Sequence, residues 1–146
     1  MSKEYAFYTR ARGLISKADE WRDSAERVLY WASCALDSPG VSSFNDLAYK
    51  LVDRCFKVSG RSMTLQRRAD ILSIAAVFHD VGAFYNEAKS SKDYITIGPK
   101  IRPDDIAYAE VGGWKTGNKK GLTFVLSECE PKSDEDLIDI MTHETM

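Results

Sequence analysis

The sequence predicts an α+β fold: an N-terminal three-helix unit packed on a small C-terminal antiparallel sheet of about three strands, followed by a short acidic helix. Two observations predict it. Up to residue 86 apolar side chains recur at helical spacing, whereas from residue 94 they fall in short β-branched or aromatic runs bounded by glycine, proline or aspartate. Helices first and strands after them suit one α+β domain over residues 1–128, with residues 129–146 as an acidic tail. At 146 residues the chain is long enough to bury a core unaided.

The first helix is expected over 14–36. Leu14, Ala18, Trp21, Ala25, Val28, Ala32 and Ala35 alternate by four and three, and Ser38-Pro39-Gly40 stops the pattern. Tyr30 projects opposite the Trp21 stripe and is therefore an outward aromatic, a candidate interface residue.

The second helix is expected over 43–58. Ser43-Phe-Asn-Asp46 approximates a capping box with Asp in place of Glu or Gln. Phe44, Leu47, Ala48, Leu51, Val52, Cys55 and Phe56 then form the core face, and Gly60 ends the segment.

The third helix, over 63–86, has no polar stripe between Ile71 and Val81. Ile74 and Val81 point away from Leu72, so this helix is expected to be central or to lie between subunits, with Ile74 and Val81 as further interface candidates. Gly82 marks a kink or an end.

Strands are expected over 94–97, 106–115 and 119–127. The last two enclose Ala109-Glu-Val-Gly-Gly-Trp-Lys-Thr-Gly-Asn-Lys-Lys-Gly-Leu-Thr-Phe124. Gly112 and Gly117 have phosphate-loop spacing, but Asn118 stands where the lysine must be and a strand follows where a helix must. A hairpin fits better. Gly117-Asn118 makes a type II′ turn that pairs Val111 with Phe124 and Ala109 with Leu126, and Trp114 folds over Gly121. Lys115, Lys119 and Lys120 gather beside Trp114 at its tip, either as a solvated turn that resists edge pairing or as a contact point for an anion. In the tail Ser133 caps a short acidic helix carrying Leu137, Ile138, Ile140 and Met141.

Val77-Phe-His-Asp-Val-Gly82 resembles the HD motif of metal-dependent phosphohydrolases. The resemblance implies His79 and Asp80 as metal ligands, together with an upstream histidine and a later aspartate. The only other histidine is His143, near the C-terminus, so the ligand set is incomplete and no metal is expected. His79 instead reads as a core histidine, with Asp80 paired to an arginine.

Cys34, Cys55 and Cys129 are too few for a disulfide framework or zinc ribbon, and Cys55 falls on the core face of the second helix. Asp104 and Asp105 read as turn residues, and Arg67 and Arg68 as solvated or paired.

A net charge of −2 argues against a dedicated polyanion binder. Charge is uneven, however: residues 1–68 hold 12 Lys and Arg against 8 Asp and Glu, whereas residues 129–146 hold 1 against 6. No leader pattern opens the chain and no apolar run approaches a membrane span, so a soluble, cytoplasmic protein without membrane contact is expected.

The expected function is that of a small non-enzymatic binding protein, a regulator, adaptor or inhibitor, that contacts another protein, forms homo-oligomers and needs no cofactor. Compact chains of this kind resemble the accessory proteins of phages and mobile elements. Two alternatives stand beside it: a binder of a nucleotide or nucleic acid through the lysine tip, and an enzyme built around His79 and Asp80.

Overall fold

The computed structural model describes residues 2–37, 43–60, 63–90, 94–109 and 121–145. Among the described residues five helices and three strands follow in order: α1 (Lys3–Asp37), α2 (Ser43–Phe56), a 3₁₀ turn at Val58–Gly60, α3 (Thr64–Ser90), β1 (Ile95–Ile97), β2 (Ala107–Ala109), β3 (Leu122–Phe124), α4 (Leu126–Cys129) and α5 (Asp134–Thr145). The protein is α+β, mostly helical, with a small sheet on the C-terminal side. Among the described residues no helix is long and apolar enough to cross a membrane.

The chain divides into two compact units. One combines Met1–Glu20 with Val81–Met146, and the other is Trp21–Asp80. Each has its own core, and α1 and α3 each contribute residues to both.

In the sheet-containing unit, α1 begins eleven residues ahead of the expected helix. The Ser2 hydroxyl accepts the Tyr5 N–H and caps it, and Phe7, Ala11, Ile15 and Ala18 fall at helical spacing on its buried face. Gly13 sits inside this helix with open space around its Cα, so it interrupts nothing. At the other end α3 continues through Gly82 to Ser90 and buries Val81, Phe84, Tyr85 and Ala88 against the same core.

The sheet is mixed, a departure from the all-antiparallel arrangement expected. Its order is β1-β3-β2, with β3 parallel to β1 and antiparallel to β2. As the central strand, β3 places Leu122 and Phe124 fully inside, and the Phe124 ring meets Phe7 edge-on at 5.5 Å. The opposite face is polar: Thr96 and Thr123 share a hydroxyl hydrogen bond of 2.8 Å, and Tyr108 donates to the Pro99 carbonyl.

The β2–β3 register also differs. Ala109 lies opposite Leu122 and Ala107 opposite Phe124, four positions from the pairing that a turn at Gly117-Asn118 imposes. Because side chains alternate with period two, a shift of four leaves the same residues facing the core. The physical cause is visible at the far end of β3. Val125 donates to Ile106, after which Leu126 opens α4, so Leu126 is not available to pair with Ala109.

The tail belongs to this core. Ser133 caps α5 by accepting the Asp136 N–H, and Leu137, Ile138 and Met141 are buried. Arg10 on α1 holds the same region by an ion pair with Asp134 at 2.8 Å and hydrogen bonds to the Glu130 and Lys132 carbonyls.

The other unit is a three-helix arrangement of the second half of α1, α2 and the first half of α3. Its buried residues are Leu29, Ala32, Ala48, Val52, Val58, Ile71 and Ala75. Lys57 leaves α2 in the left-handed region at φ 57°, and the Ser59 N–H donates to Asp53 Oδ1 at 2.7 Å. Hydrogen bonds from the Ser59 backbone and hydroxyl hold the Asp53 carboxyl below its ordinary range.

Candidate interaction surface

The core of the helical unit consists mainly of alanine, valine, leucine and isoleucine, while much of its largest apolar surface faces outward. On α2 only Ala48 and Val52 are buried. Phe44, Leu47 and Leu51, at helical spacing i, i+3 and i+7, are 53%, 63% and 51% exposed. They were expected in the core and are not. Trp31 on α1 is 37% exposed, and its ring meets Phe44 edge-on with centroids 4.6 Å apart. A stripe of four large apolar side chains therefore crosses from α1 onto α2. Cys55, expected in the core, is also exposed, as are Phe56 and Trp21.

The reason lies in the width of the apolar pattern. Seven apolar residues between Phe44 and Phe56 were read as one face, but on a helical wheel they fill two. Phe44, Leu47 and Leu51 fall within about 60° of each other, while Val52 lies about 100° from Leu51. The second face meets α1 and α3, where the helices pack on alanines. Sequence reasoning missed Trp31, Phe44, Leu47 and Leu51 as surface residues. Their signal was an apolar arc too wide for one contact.

Of the interface candidates, Tyr30 is exposed, Ile74 is half-buried against the helical core and Val81 is buried in the core of the sheet-containing unit. Trp114, Lys115, Lys119 and Lys120, with the proposed Gly117-Asn118 turn, lie outside the described residues. Gly121 is described, and among the described residues the aromatic ring against it is Phe84.

His79 is not a core histidine. Its side chain is 73% exposed, and its Nδ1 lies 3.5 Å from Glu26 Oε1. Glu26 is itself nearly buried, as is Arg22 one turn earlier, whose guanidinium donates to Glu26 at 3.0 Å and to the Phe78 carbonyl at 3.3 Å. This is the polar seam between α1 and α3 in the helical unit. Asp80 is exposed, so the burial argument for its pairing does not apply. Among the described residues no three His, Cys, Asp or Glu side chains converge to hold a metal ion.

In the sheet-containing unit a cleft of about 430 Å³ is lined by Arg102, Asp104, Asp105, Asp139, His143 and Glu144 among others. Asp105 is a turn residue, as expected: its Oδ2 accepts the N–H groups of Ile101 and Arg102 at 3.1 and 2.7 Å. Cys129 is buried and donates to the Ile106 carbonyl, and burial pushes its thiol pKa up, which makes it a poor nucleophile.

In the helical unit the exposed apolar groups lie together, from Trp31 across Phe44 to Leu51. Comparison with protein-family models, with curated proteins and with solved structures finds no match.

Proposed function

We propose that this chain is a small non-enzymatic protein that works by binding another protein through the Trp31–α2 face of its helical unit. One observation carries the reading: Phe44, Leu47 and Leu51 are exposed side by side on a helix that buries only Ala48 and Val52. Isolated exposed apolar residues are ordinary, but a continuous stripe with an aromatic pair at one end is the pattern of a binding surface. Such a face suits a regulator or adaptor, in which specificity comes from shape and apolar area. The amphipathic geometry of α2 fits recognition of a helix or an apolar groove.

The test is the native mass of the protein purified from its own host, compared with Leu47→Glu/Leu51→Glu. The wild type is expected to carry additional protein mass that the double variant loses, with circular dichroism unchanged because both positions are exposed. A bare monomer for both proteins would overturn the reading.

A further inference from the structure

We draw no further inference here: the strongest candidate, the exposed apolar stripe of Trp31, Phe44, Leu47 and Leu51 on the α2 face of the helical unit, belongs to the surface already described, and nothing in the structure shows what covers it.

Discussion

A Cβ added at Gly121 would fall 2.5 Å from the Phe84 ring and 2.5 Å from the Tyr94 carbonyl oxygen. One neighbour is backbone and the other a side chain packed into the core, so neither moves freely. Gly121→Ala is therefore expected to destabilise the protein by about 2 kcal/mol, read as a lower midpoint in urea unfolding. An unchanged midpoint would show that the β3 entrance is looser than this packing implies. The approach of Phe84 to Gly121 was not legible in the sequence, because Phe84 comes from a helix 37 positions earlier and no local turn chemistry announces it. Single residues announced their local roles well: Ser133 is the cap it promised to be, and Asp105 holds its turn. What they could not announce was exposure, which is why His79 was expected inside and lies outside.

At the scale of elements, helices and strands were readable from periodicity and punctuation, and the sheet face came out correctly despite a four-residue change of register. Pair topology was not readable, since nothing local tells β3 to enter between β1 and β2. Nor was the direction in which α2 turns its two apolar faces, because hydropathy alone does not rank Phe44, Leu47 and Leu51 below Ala48 and Val52. Close packing does. Small residues let helix axes approach, and the bulky ones are left outside. The α1–α3 seam carries a prediction of the same scale. Glu26→Ala removes the carboxylate that accepts from the nearly buried Arg22 guanidinium at 3.0 Å, and should cost about 3 kcal/mol. His79→Ala removes a largely solvated ring from the same cluster and should cost less than about 0.5 kcal/mol. Equal losses in chemical denaturation would contradict this division of labour.

For the molecule as a whole, the fold class was legible, while the membership of the sheet core and the division into two units were not: Phe7 and Ala11 precede the expected first helix, and Leu137, Ile138 and Met141 come from the expected tail. The sequence shows one long series of helices, and only contacts distant along the chain reveal that α1 and α3 each serve two cores. The cysteines sample this organisation. In dilute native protein Cys34 and Cys55, both exposed, should react with a thiol reagent, whereas Cys129 should react only when its core opens. Rapid modification of all three thiols would contradict the packing of α4 against the sheet.

The two units also differ in how the chain supplies them. Trp21–Asp80 is continuous, so every member of its core has been synthesised once Ala75 has been added. The sheet-containing unit joins Met1–Glu20 to Val81–Met146, and Phe7 and Ile15 must wait for Leu122, Phe124, Leu137 and Met141. At translation rates of about 5–20 residues per second, the segment after Asp80 takes roughly 3–13 seconds to emerge. Throughout that interval the first turns of α1 lack the core partners of Phe7 and Ile15 that follow Asp80 in the sequence.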